Sequence, residues 1–168
     1  MKLRVTGITK EIDRHRNALK ATRRKAMTII VRAARAGLVS YMSGTPVWSG
    51  ETVRNYKVSF SGRPVTVHPP VQGRVDFSGT WPDDVGEGRR AANVAAALSD
   101  FAAMANGVQS VFRDELPPTI YVANTIAASK ANLIDAGLAP DPQRSRFPGG
   151  LTTRAQQAAV AAGEGNIR

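Results

Sequence analysis

The chain contains no cysteine. That removes disulfides, thiol nucleophiles and cysteine–zinc sites, and is compatible with assembly in a cytosol. Histidine is almost as scarce. His15 falls in a helical pattern and His68 at a strand end, where a lone imidazole reads as packing or surface rather than as a ligand. No run of about 18 apolar residues exists, so no membrane-spanning helix is expected. Ile8 to Leu19 mixes polar and apolar residues and lacks an apolar signal core, so classical secretion is not expected. Gly149-Gly150 has no following Lys-Ser or Lys-Thr, which excludes a phosphate loop, and no G-x-S-x-G elbow occurs. Asp83, Asp84 and Glu87 lack the ligand spacing of a calcium loop and read as a solvated acidic loop. No catalytic, cofactor-binding or metal-binding residue emerges, and the chain is not expected to be an enzyme.

What is present is a mid-sized chain with a concentrated charge. Its 168 residues, 42% hydrophobic, suit one domain over residues 1–168 with a modest core. The formal net charge is +10. Residues 1–40 carry eleven Lys or Arg against Glu11 and Asp13, a net +9, so the remainder contributes +1. The basic character therefore belongs to one element, and such a patch calls for a nearby polyanion or acidic partner unless it is merely solvated. Arg24, Lys25, Arg32 and Arg35 are the candidates to face a polyanion. No aromatic residue lies between positions 10 and 35 and Asn17 is the only amide there, which argues against reading of bases.

Periodicity predicts a long basic helix over 10–41, with Thr9 as N-cap and Glu11 and Asp13 in its first turn. Ile8, Ile12, Leu19, Ala26, Ile30, Ala33 and Gly37 form its apolar stripe. Lys10, Arg14, Lys20, Arg24, Lys25, Arg32 and Arg35 lie broadly opposite. Next comes a corner built from Thr45, Pro46, Val47 and Gly50. Pro46 restricts itself and Thr45, and Gly50 allows a positive φ. Alternation from Val53 to Phe60 predicts a strand, and Val65 to His68 should pair back on it through a turn at 61–64 until Pro69-Pro70 ends the pairing. Residues 69–117 form an inserted loop and helix. The loop runs through 71–88 around Trp81, and the helix spans 89–112 with Val94, Leu98, Phe101, Ala105, Val108 and Phe112 on one stripe. Its other side is small: Ala95, Ala96, Ser99 and Ala103. This reflects either alanine's helix propensity or close packing against another chain. Ile120 to Asn124 is a strand, Leu138 to Gly150 an extended loop, and Thr152 or Thr153 caps a last helix to Ala162. Residues 163–168 are expected to be a flexible tail. The expected class is α+β: a small mixed or antiparallel sheet of about three to five strands, packed by the long N-terminal helix and a C-terminal helix, with a helical insert.

Thr45-Pro46-Val47-x-Ser49-Gly50, followed by Arg54 and Ser59, resembles the TPVxTGxLRxS corner of a phage tail-completion (neck, head–tail joining) family. Ile120 to Asn124, Asn132 to Gly137 and the loop Phe147-Pro148-Gly149-Gly150 resemble later parts of the same pattern, so the likeness covers roughly residues 5–162. The chain departs from the pattern at Ser49, at Thr52-Val53 and at Asp135. The resemblance implies a virion structural protein of the neck or tail, assembled in the host cytoplasm. It would form a closed ring of about six or about twelve copies. Its partners would be neighbouring connector, tail terminator or tail tube proteins, with possible non-specific contact to genomic DNA in the lumen and none to membrane. Trp48, Trp81, Ala95, Ala96, Ser99 and Ala103 are the candidate subunit interface. A tail terminator of the same assembly and a sequence-independent DNA-binding protein are the alternatives.

Overall fold

No proline precedes Pro46, and nothing before it interrupts helical hydrogen bonding. The computed structural model describes residues 6–45, 50–73, 83–111, 119–126 and 150–165. Thr6–Gly44 is a single helix of 39 residues, α1, about 58 Å long at 1.5 Å per residue. It exceeds the expected 10–41 span at both ends. Thr9 lies inside it rather than capping it, in a stretch rich in the good helix formers Lys, Arg, Ala and Leu. At the other end, tertiary hydrogen bonds satisfy the last carbonyls and let the helix continue to Gly44.

The strand expected from Val53 starts later. Glu51–Arg54 is a single helical turn, α2, closed by a 2.9 Å bond from the Arg54 N–H to the Gly50 carbonyl. Tyr56–Ser59 is the strand, β1, and it pairs antiparallel with Tyr121–Asn124, β2, with Tyr56 opposite Asn124 and Ser59 opposite Tyr121. The expected pairing of Val65 to His68 with β1 does not form. Residues 64–70 run extended, but side chains hold them: Asn55 takes both the N–H and the carbonyl of His68 at 2.8 Å, and the Thr125 hydroxyl donates to the Thr66 carbonyl. Pro64, Pro69 and Pro70 supply no N–H to a ladder, and Val65 and Val67 point into solvent. Among the described residues the sheet therefore has two strands, not three to five.

The insert's helix, α3, spans Asp83–Val111, so Asp83, Asp84 and Glu87 open a helix instead of decorating a loop. Its apolar stripe buries Ala97, Phe101 and Ala105 against Ala34, Leu38 and Met42 of α1 and Val53, Tyr56, Val58 and Phe60. Leu151–Glu164 is the last helix, α4. It starts after Gly150 at φ 80 with no side-chain cap, so neither Thr152 nor Thr153 plays that part, and it absorbs Gly163 and Glu164 from the expected tail. Helix α4 runs antiparallel along α1: Gly37 faces Ala155 and Ala159, and Ile29 faces Gly163. A Cβ at Gly37 would lie 3.4 Å from the Ala155 carbonyl, so small residues set the close approach of these helices. The architecture is α+β, with a long N-terminal helix and a C-terminal helix around a small antiparallel sheet.

Helix α1 is packed only over its second half. Every residue from Thr9 to Thr22 is exposed, and Ile12 and Leu19, expected on the core stripe, are each 51% exposed. The free half extends about 20 Å past the packed body.

Gly50 has φ 80, and a Cβ there would overlap the Asn93 side-chain amide. Gly73 has φ 75 with nothing within 4 Å. Gly73→Ala should therefore cost about 1 kcal/mol from backbone strain alone, and Gly50→Val about 3 kcal/mol or more. Urea unfolding of both variants checks this; equal midpoint shifts would remove Gly50 from its central place.

Candidate functional site

The corner joins α1, α2, β1 and α3 at one point. Thr45 is fully buried. Its hydroxyl donates to the Tyr41 carbonyl at 2.7 Å and shares a 3.0 Å hydrogen bond with the Tyr56 hydroxyl. The Tyr41 and Tyr56 rings stack at 5.1 Å. The last turn of α1 has no basic residue of its own. Arg90 of α3 fills that role: its Nη1 donates to the carbonyls of Met42, Ser43 and Thr45 at 3.0, 3.2 and 3.0 Å. A cation is favoured there because the helix C-terminus carries partial negative charge and unsatisfied carbonyls.

Two buried asparagines complete the joint. Asn93 donates to the Arg89 carbonyl at 2.8 Å and accepts from the Val71 N–H at 3.0 Å, while its amide packs against Gly50. Asn55, besides clamping His68, donates to the Glu51 carbonyl at 2.8 Å. Its backbone carbonyl accepts from the Thr125 N–H at 3.0 Å. Both side chains are wholly buried, and each finds the partners that make burial of an amide tolerable.

Arg54 is buried too, and its Nη1 lies 2.6 Å from Asp100 Oδ2, which also accepts from Lys57 Nζ at 2.7 Å. Burial opposes ionisation of Asp100, but the hydrogen bonds from Arg54 and Lys57 outweigh it and hold its pKa at about 2. Loss of solvent, then the positive charges of Lys57 and Arg54, push His68 below its ordinary value. Lys57, His68 and Asp100 line a groove of about 430 Å³ between β1, the extended segment at 64–68 and α3, which Leu38 and Phe101 also line. Asp100 is thus held as an anion and His68 is biased toward its neutral form, an arrangement that braces β1 against α3. Among the described residues no three His, Cys, Asp or Glu side chains gather closely enough to hold a metal ion. Nor, among them, is any helix long and apolar enough to cross a membrane.

The expected site residues divide sharply. Thr45, Gly50 and Arg54 meet at the corner. Pro46, Val47, Trp48, Ser49, Trp81 and the stretch Asn132 to Gly137 lie outside the described residues. Ala95, Ser99 and Ala103 are exposed on α3 and Ala96 is half-buried, so this small face looks outward. From Ala91 to Gly107 the one charged residue of α3 is Asp100, which is engaged with Arg54 and Lys57. Arg24, Lys25, Arg32 and Arg35 are all exposed on α1. Asn55, Asn93, Arg90 and Asp100 are the residues that sequence reasoning passed over. The signal available was polar residues beside apolar helix or strand positions, such as Asn93 next to Val94. Comparison of the chain with protein-family models, with curated proteins and with solved structures finds no match in any of the three.

The depressed pKa of Asp100 makes a signed prediction. Its ion pairs add stability above the ordinary carboxylate value of 3.8, and this is lost as pH falls toward about 2. Asp100→Asn should be less stable than wild type at pH 7, because Arg54 and Lys57 lose their carboxylate, and should show a shallower loss between pH 4 and pH 2. Urea midpoints measured across that window check it; parallel curves for the two proteins would refute it.

Proposed function

We propose that the protein is a structural subunit of a phage virion neck, forming a ring that joins the head to the tail and helps complete or seal it. The role is assembly rather than catalysis. The observation that carries this reading is the corner. Of the described residues of the TPVxTGxLRxS-like stretch, Thr45, Gly50 and Arg54 are buried and Ser59 is half-buried on β1; Arg54 bonds the Gly50 carbonyl and pairs with Asp100, Thr45 bonds Tyr56, and Gly50 packs against Asn93. A motif that sets the exit angle of a long helix suits a subunit whose contacts must repeat identically around a ring.

A ring interface is heterologous, so each copy needs two different adhesive faces. The exposed, nearly uncharged face of α3 around Ala95, Ser99 and Ala103 is the first candidate. Small side chains allow a neighbouring backbone to approach closely, and few charges need to be desolvated there. Trp48 and Trp81 remain candidates for the second face. Genomic DNA and the adjoining connector, terminator or tube proteins are the proposed partners, and the virion is the proposed location.

The test is size-exclusion chromatography with light scattering, on the protein alone and with purified tails. A large ring, or a monomer that assembles on tails, is the expected result. A dimer that ignores tails would overturn the reading. Ala95→Arg with Ser99→Arg should abolish the ring while changing monomer stability by less than about 0.5 kcal/mol, since both positions are exposed.

A further inference from the structure

We infer that the outer side of α1 is a sequence-independent docking surface for the phosphate backbone of double-stranded nucleic acid. The inference assigns a particular surface to the nucleic-acid contact that the neck reading includes, and it stands on its own observations. At 100° per residue, Lys10, Arg14, Lys20, Arg24, Lys25, Arg32 and Arg35 all fall within about 80° of the line opposite the Ile12–Leu19–Ala26 seam. Each of these basic residues is exposed. They span about 38 Å of helix, close to one turn of a DNA duplex. The acids on the helix, Glu11 and Asp13, lie between Lys10 and Arg14 at the N-terminal end of the row, where Glu11 is 3.9 Å from Arg14 and 3.3 Å from His15.

The geometry favours a duplex over other polyanions. A rod free of packing from Thr9 to Thr22 can approach a backbone along its length without steric interference from the packed body. Duplex DNA presents about one negative charge per 1.7 Å of axis, so a row of cations of this length meets a dense field of phosphates. No Trp, Tyr or Phe lies on α1 before Tyr41, and its one imidazole, His15, lies 3.3 Å from Glu11, so α1 offers no row of rings on which unpaired bases could stack. The same lack of Trp, Tyr and Phe, with Ile12 and Leu19 the large apolar residues exposed on the seam among the described residues, makes the helix a poor membrane-surface element. Along α1, only Asn17 carries a side-chain amide between Lys10 and Arg35, so binding is expected to read charge and not sequence.

The experiment is fluorescence anisotropy of a labelled random-sequence duplex of about 30 base pairs, titrated with full-length protein at several salt concentrations. The wild type should bind, with log K falling linearly in log salt at a slope of about −4 to −6. Lys20→Gln, Arg24→Gln, Lys25→Gln and Arg35→Gln combined should weaken binding at least about tenfold and flatten the slope by about 3. Arg63→Gln, exposed after β1, should change neither. Circular dichroism verifies that the variant keeps its helices; if it does not, the wild-type slope alone decides. Absence of binding at low salt, a salt-independent affinity, or unchanged binding by the folded variant would overturn the inference. So would tighter binding to poly-glutamate or to phosphatidylserine vesicles than to duplex at equal salt, which would assign the face to an acidic protein or a membrane. Ring formation is read separately by light scattering. A monomer that binds duplex leaves this inference standing without the neck reading, and a ring that ignores duplex overturns the inference alone.

Discussion

The carbonyls at the C-terminus of α1 impose the constraint on which the rest of the fold depends. A helix of this length ends with unsatisfied acceptors and partial negative charge, and its own last turn offers no cation. Arg90 reaches across from α3 and takes three of those carbonyls with one guanidinium nitrogen. This ties α1 to α3 at one end, and the packing of Leu38 and Met42 against Phe101 and Ala97 follows from that anchoring. The same joint admits only glycine at position 50, where a positive φ coincides with the buried Asn93 amide. Remove the joint and neither the direction of α1 nor the start of β1 is defined.

From this anchor the molecule divides into a packed half and a free half. The second half of α1 is covered by α3, β1 and α4, where Gly37, Ala155 and Ala159 permit close contact. The first half gains no tertiary burial between Thr9 and Thr22. It persists because the costly nucleation step is already met by the packed turns, so propagation needs only ordinary helix propensity. Opening should begin at that N-terminal end, where few contacts oppose it. The basic side chains are therefore displayed on a rod whose base is rigid and whose tip is the least stable part.

The groove beside β1 shows how charge can serve structure. Asp100 takes one hydrogen bond from Arg54 and one from Lys57, linking α2 and β1 to α3 across a partly wet boundary. Exposed ion pairs are worth little, but these two cations are only 10% and 12% exposed, so their loss of a partner would be felt. The third contributor to the corner, Asn55, substitutes for a strand. It gives residues 64–70 the pair of hydrogen bonds that a neighbouring backbone would otherwise supply.

The sequence by itself determined those features that depend on neighbours a few residues away. Helical periodicity placed α1, α3 and α4, because side chains three and four apart share a face whatever surrounds them. The concentration of charge in residues 1–40 and the need for a positive φ at Gly50 were legible for the same reason. Only the tertiary structure decided which parts of each pattern meet a partner. Ile12 and Leu19 continue the stripe of Ile30 and Ala33, yet they lie past the end of α4 and stay in solvent. Val65 to His68 alternate like a strand, yet β1 pairs with Tyr121 to Asn124 and a single asparagine side chain holds the other segment. Arg90, Asn93 and Asp100 gain their roles from atoms more than twenty residues distant. Periodicity states what a residue could face; burial and hydrogen bonding are settled by what the folded chain brings opposite to it.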